Sequence, residues 1–330
     1  MNRRAHARPA MLFFFYTFTL GSDTTANKQP GNGLMPAPRL AVLTLITMLA
    51  FAGNSLLCRI ALKQTGIDPA SFTSIRLVSG ALVLWLVTRS FRSTRAGKGN
   101  WLSAFMLFAY AGGFSFAYMS LTAATGALLL FGAVQATMIG HGIWNGERPA
   151  GQQLAGLLLA LGGLLGLLLP GLSAPPLIGS ALMLIAGVAW GVYSLRGQGA
   201  GDPTRVTAGN FLRATLFAVL LSLLLNSRAQ LNMPGVLYAI ASGAIASGLG
   251  YAIWYSVLPA LKATIAATVQ LSVPAIAALA GIIILGEPLT ARFALASIAI
   301  LGGIALVILS KSHDREAQQV APADAKGRRG

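Results

Sequence analysis

Residues 145–169 read NGERPAGQQLAGLLLALGGLLGLLL, and residues 285–309 read LGEPLTARFALASIAILGGIALVIL. Gly146-Glu147 aligns with Gly286-Glu287, and Gly162-Gly163 with Gly302-Gly303, at one constant separation. Each stretch opens on a polar turn and continues as an apolar run. Crossing about 30 Å of hydrocarbon takes about 20 apolar residues, and both runs are long enough. Two such copies in one chain point to an internal repeat of membrane-spanning units.

Outward from these copies, the hydropathy pattern predicts ten spans, at 40–60, 70–89, 101–120, 123–144, 151–169, 176–195, 206–225, 235–256, 263–285 and 291–310. Hydrophobic residues make up 55% and charged residues 10% of the chain, which excludes a soluble domain and a disordered chain. The loops are too short to hold a soluble domain. Ten spans in two copies give five per copy. Five is odd, so the copies must lie in opposite orientations. The expected fold class is all-α integral membrane, with ten transmembrane helices as two inverted five-helix repeats. The expected boundaries are 39–170 for the first repeat and 171–310 for the second. Further pairings fit: Asp68-Pro69 with Asp202-Pro203, Gly53 with Gly191, and Phe114 with Trp254.

Residues 1–38 fall outside the repeat. The segment MLFFFYTFTL is too short to span. A start at Met35, a disordered or interfacial arm, and a cleaved signal are the readings open for it. Residues 311–330 are expected to be a polar cytosolic tail without fixed structure.

The net charge of +16 does not suggest nucleic acid, because the positives flank apolar spans. Arg39, Arg89, Arg92, Arg95, Lys98, Arg148, Arg196, Arg205 and Lys262 fall on one side. Only Arg59, Lys63, Arg228 and Arg292 fall on the other. The excess marks the cytosol, so both termini are expected there, in a multi-pass cell-membrane protein of a bacterial inner membrane. Cys58 is the only cysteine, which excludes an internal disulfide and a cysteine metal site.

Three segments resemble one family. They are FAGNSLLCRIALK at 51–63, SFTSIRLVSGALV at 71–83 with its early Arg76, and the Gly-Glu pairs at 146–147 and 286–287. With the two-copy arrangement, residues 39–310 resemble the drug/metabolite transporter superfamily, EamA type. The resemblance implies a ten-helix carrier with a central cavity, alternating access, and export of amino acids or related metabolites. Departures are Val134, where a proline would match Pro274, and Asn210, where an arginine would match Arg76.

A carrier needs polar groups near the bilayer midplane, where each is expensive to bury. Candidates for the substrate cavity are Asn54, Gln135 and Gln270, with Phe114 and Trp254 as aromatic walls. Each amide could instead bond a neighbouring helix. Tyr118, Tyr193 and Tyr255 lie near span ends, where tyrosines anchor at the interface. Arg76 and Arg213 are candidates for gating or anion contact, and Arg76 could also snorkel to the surface. Glu147 and Glu287 precede spans, where a carboxylate complements a helix dipole. His141 and Glu147 are the candidate proton site. No span interior carries Asp or Glu, so exchange or facilitated efflux without an intramembrane carboxylate is expected. Gly187-x-x-x-Gly191 and Gly162-x-x-x-Gly166 are expected to pack helices closely.

An intramembrane enzyme lacks its paired carboxylates or its nucleophile and base, so no catalytic residue is expected. No cofactor or metal is expected. The partners are a small-molecule substrate and the lipid bilayer, not nucleic acid, and a homodimer is left open. The alternative substrate class is a nucleotide-linked or lipid-linked sugar, which would need cavity cations that only Arg76 and Arg213 could supply.

Overall fold

In the computed structural model the apolar stretches are helices. The structure describes residues 36–90, 97–146, 151–171, 174–197, 201–261, 266 and 269–320, with backbone alone at 228 and 311–320. The helices are α1 (Ala37–Gln64), α2 (Pro69–Ser90), α3 (Trp101–Tyr118), α4 (Ala123–Trp144), α5 (Gly151–Leu168), α6 (Leu177–Gly197), α7 (Pro203–Leu224), α8 (Met233–Ala260), α9 (Ser272–Leu285) and α10 (Ala291–Val320). Among the described residues, nine helices are long and apolar enough to cross a membrane, and α9 is a shorter apolar helix. Leu158, Leu212, Ile283 and Leu295 project from the outside of the bundle. Apolar surface of this extent suits hydrocarbon rather than water.

Side chains and turns set the helix ends. Asn100, Thr122, Asp202 and Asn232 each accept a hydrogen bond from the backbone N–H three residues on, capping α3, α4, α7 and α8. Gly146 and Gly286 adopt φ of 89° and 64°, which ends α4 and α9 without the penalty a Cβ would bring.

The packing has a regular pattern. α1 lies against α8 and α3 against α6. α4 lies against α6 and α1 against α9. α3 lies against α7 and α2 against α8. In each couple, one pairing becomes the other when every helix is exchanged for the helix five places away. The pairings α2–α7, α4–α9 and α5–α10 exchange with themselves. This is the pattern expected of two copies of a five-helix unit.

Two boundaries differ from the sequence reading. The ninth span was expected from 263, but regular helix α9 begins at Ser272, after a turn at Leu271. Pro274 has no N–H to offer the carbonyl of Gln270, so the helical ladder breaks there. The tail expected to lack structure continues α10 to Val320. Its Arg, Glu, Ala and Gln residues are good helix formers. The readings for residues 1–35 lie outside the described residues.

The close-packing glycines are also partly different. Gly187 and Gly191 do face α4, where an added Cβ would come within 2.5 Å of Ala133 and 2.8 Å of Thr137. Gly162 and Gly166 face open space. Contact between α5 and α10 instead runs through Gly156, whose added Cβ would lie 2.6 Å from the Gly303 carbonyl oxygen.

Asp68 ties the turn between α1 and α2 to the loop between α7 and α8. Its Oδ1 accepts from the N–H groups of Ala70 and Ser71 at 3.0 and 2.9 Å. Its Oδ2 accepts from Gln230 N–H at 2.9 Å, and its own N–H donates to Gln230 O at 3.1 Å. Burial pushes the Asp68 carboxyl up, but the hydrogen bonds from Ser71, Gln230 and Ala70 outweigh it and hold the group below the ordinary carboxylate range. Asp68→Ala is expected to cost about 1–2 kcal/mol of thermal stability in detergent. A carboxyl depressed by folding contributes fully above its unfolded value of about 3.9. Its contribution is lost as the pH falls through the lower folded value. The gap between wild type and variant should therefore be constant above about pH 4 and narrow below it. Melting curves across that range check this, and a gap that widens on acidification would contradict the assignment.

Candidate functional site

The centre of the bundle holds a polar chain enclosed by aromatic rings. α8 supplies its geometry, because residues Ala241–Leu249 form a π-helix inside the longer element. Residues five apart lie about 140° apart around an α-helix but are hydrogen-bonded neighbours in a π-helix. Ser242 and Ser247 are five apart and both turn toward the centre. The Ser242 hydroxyl donates to Asn54 Oδ1 at 2.5 Å. Asn54 Nδ2 donates to the Tyr110 hydroxyl at 3.3 Å. Arg76 Nη2 donates to that same hydroxyl at 3.0 Å, and Arg76 Nε reaches Ser247 Oγ at 3.4 Å. One chain of contacts thus joins α1, α2, α3 and α8. Asn54 stands ten residues from the end of α1, so the chain lies about 15 Å inside the helix end.

Arg76 is the largest fully buried side chain described, 1% exposed. Its guanidinium lies over the rings of Phe114 and Tyr110, 4.9 and 5.2 Å from their centroids. Nη1 has no hydrogen-bond partner among the described residues. Snorkelling is therefore ruled out: neighbouring helices cover the whole side chain. Trp190 packs on Tyr110, Tyr193 and Tyr251 at centroid distances of 4.8, 5.2 and 5.4 Å. Phe51 joins Tyr251 to Trp254, at 5.6 and 6.1 Å. Cys58, one residue before Arg59 in α1, is fully buried.

Arg59 and Glu287 close the end of the bundle nearest this chain. Their side chains pair at 3.1 Å, each 10% exposed. Arg59 Nη1 also donates to Tyr118 O at 2.8 Å, and Glu287 Oε2 accepts from Ala123 N–H at 2.8 Å. Glu287 therefore complements the amino terminus of α4, not only that of the α10 it precedes. The pair and its satellites lock α1, the turn between α3 and α4, and the end of α9. At the opposite end, the Tyr193 hydroxyl donates to Thr207 at 3.3 Å and receives Asn210 Nδ2 at 3.4 Å, while Thr207 donates to Tyr255 at 3.3 Å.

The structure brings together some of the expected residues and separates others. Asn54, Arg76 and Phe114 meet, and Trp254 is one ring away. Gln135 instead faces an apolar groove lined by Gly132, Leu157, Leu161, Ile300 and Ile304, toward α5 and α10. Gln270 is half-buried at the break before α9. Arg213 donates to the carbonyls of Lys98 and Gly209 at 2.7 and 2.8 Å and lies over Trp101, so its charge is engaged at the far end. His141 sits half-exposed in the last turn of α4. Glu147 lies outside the described residues. Tyr118 and Tyr193 are buried rather than interfacial, because α3 and α6 are covered by neighbours even near their ends. Tyr110, Ser242, Ser247, Arg59 and Glu287 were not among the expected cavity residues. The repeated Ala-Ser-Gly at 241–243 and 246–248, with its period of five, is the signal that marks the two serines.

The description of the EamA-like transporter family matches residues 177–309. An uncharacterized protein of Pseudomonas aeruginosa is 58% identical over 83% of this chain and 96% of its own length. The chain belongs to the EamA-like transporter family. The threonine/homoserine exporter RhtA of Escherichia coli is 28% identical, covering 86% of this chain and 96% of that protein. An uncharacterized transporter of Archaeoglobus fulgidus is 25% identical over 82% and 98%. A solved crystal structure matches with a TM-score of 0.58 at 19% identity, over 82% of this chain and 98% of its own, which shows the shared fold. The protein is thus a multi-pass membrane transporter of this family, not an enzyme.

Proposed function

We propose that this EamA-family protein carries a small amino acid or related metabolite outward across the bacterial inner membrane. The observation that carries this reading is the buried chain Ser242–Asn54–Tyr110–Arg76–Ser247. It is walled by aromatic rings and reached by helices of both proposed repeats, 39–170 and 171–310. Polar groups at that depth are rare and mark solute pathways, and here the Arg76 Nη1 keeps donors that no described residue takes. The relation to a threonine/homoserine exporter supports the substrate class and the direction. Both termini are proposed to be cytosolic, from the excess of basic residues in loops on that side. The Arg59–Glu287 pair then lies at the external end and acts as a latch that closes the outside. Alternating access follows when the two repeats rock against each other and exchange the closed end. The sugar-linked alternative loses its second cation, because Arg213 is spent on backbone carbonyls.

Counterflow in proteoliposomes tests the reading. Vesicles loaded with unlabelled L-threonine should transiently concentrate labelled L-threonine, and protein-free vesicles should not. Gln135→Leu should retain this activity, since its groove lies apart from the buried chain. If no standard amino acid supports counterflow in the wild type, the proposed substrate class falls.

A further inference from the structure

We propose that Arg76 and Tyr110 together form the receptor for the substrate's carboxylate, so that the transported solutes are those with a free carboxyl group. This rests on the carrier reading above. The buried cluster is rich in donors and poor in acceptors. The Tyr110 hydroxyl accepts from both Asn54 and Arg76, and no described group takes its own proton. Nη1 of Arg76 keeps its two N–H groups unpaired, with the residue 1% exposed. A carboxylate is the side-chain-sized group that only accepts, and its two oxygens match the planar fork of a guanidinium.

Charge points the same way. A guanidinium enclosed without a counter-charge is among the costlier things a fold can hold. The described carboxylates are all committed elsewhere. Asp68 and Asp202 cap α2 and α7, and Glu287 pairs with Arg59. The faces of Tyr110 and Phe114 offset part of the charge, but a ring quadrupole is a weaker partner than an anion. A solute carboxylate supplies what no described residue does. Its binding would stabilise the closed form around a neutral pair, so that the loaded carrier closes more readily than the unloaded one.

The test is ligand-induced thermal stabilisation of the purified full chain. The probes are the standard L-amino acids, their primary amides, and inorganic phosphate. At least one amino acid should raise the melting temperature of the wild type, and its amide should not. Arg76→Gln should abolish the shift. Tyr110→Phe keeps the ring and removes only the hydroxyl, so it should weaken affinity about ten- to hundredfold. Tyr110→Phe decides the matter if Arg76→Gln gives no folded protein. The proposal is overturned if the amide stabilises as well as the acid, if no amino acid stabilises the wild type, if only phosphate does, or if Tyr110→Phe binds like the wild type. The transport reading fails separately. An Arg76-dependent carboxylate shift without counterflow would keep this site and remove the carrier, whereas amino-acid counterflow that persists in Arg76→Gln would do the reverse.

Discussion

Replacing Glu287 with alanine is expected to raise the rate at which an externally added, membrane-impermeant maleimide labels Cys58 about ten- to hundredfold. Cys58 is the only cysteine in the chain and is fully buried, so labelling has no background from other sites. It immediately precedes the latch residue Arg59 in α1. Removing one partner of a buried ion pair costs about 3–5 kcal/mol, because the other charge is left unpaired. Here each side chain keeps 10% exposure, so water recovers part of that cost. A net shift of about 1.4–2.8 kcal/mol in favour of the externally open form gives the stated range. The exchanged pair, Arg59→Glu with Glu287→Arg, should not restore the wild-type rate, because it sets a carboxylate against the Tyr118 carbonyl and a guanidinium against the Ala123 N–H. Leu158→Ala, on the lipid-facing side of α5, should leave it unchanged. An unchanged rate in Glu287→Ala, with the protein folded, would remove the latch from the mechanism.

The fold was legible because bilayer constraints leave few solutions. Ten apolar runs, a constant offset between Gly146-Glu147 and Gly286-Glu287, and an odd count per copy lead to the observed helix order. The candidate site was legible only where a single residue is anomalous by itself. Arg76 and Asn54 are polar in apolar runs, so depth alone singles them out. Gln135 is equally anomalous by depth, but which way a helix faces depends on its neighbours, and α4 turns Gln135 toward α5 and α10. Tyr110, Ser242 and Ser247 are ordinary residues in a span. Their place in the buried chain comes from tertiary packing and from the π-turn that swings the two serines onto one face. The Arg59–Glu287 pair joins residues far apart in sequence, and neither residue reveals the other without the fold.

Gly243→Ala is expected to abolish transport and to lower thermal stability by about 3 kcal/mol or more. Its added Cβ would overlap the carbonyl oxygen of Arg76 and the hydroxyl of Ser79, and would lie 2.8 Å from the Arg76 carbonyl carbon. Ser79 could rotate away, but the Arg76 backbone sits inside α2 and cannot. The helices would have to part. Overpacking usually costs about 1–3 kcal/mol when side chains can yield, and a backbone neighbour puts this site at or above that limit. The two helices meet glycine to glycine, since a Cβ on Gly80 would lie 3.1 Å from the Gly243 carbonyl oxygen. Separation would also pull Ser247 from Arg76, which opens the buried chain at its α2–α8 contact. Gly162→Ala is the matched control. Nothing lies within 4 Å of its added Cβ, so it should gain up to about 1 kcal/mol from helix propensity and leave transport intact. The two variants carry the same chemical change and differ only in what the methyl group meets. Equal melting temperatures and equal counterflow for the pair would mean that α2 and α8 do not cross at Gly243, and the geometry assigned to Arg76 would fall with that contact.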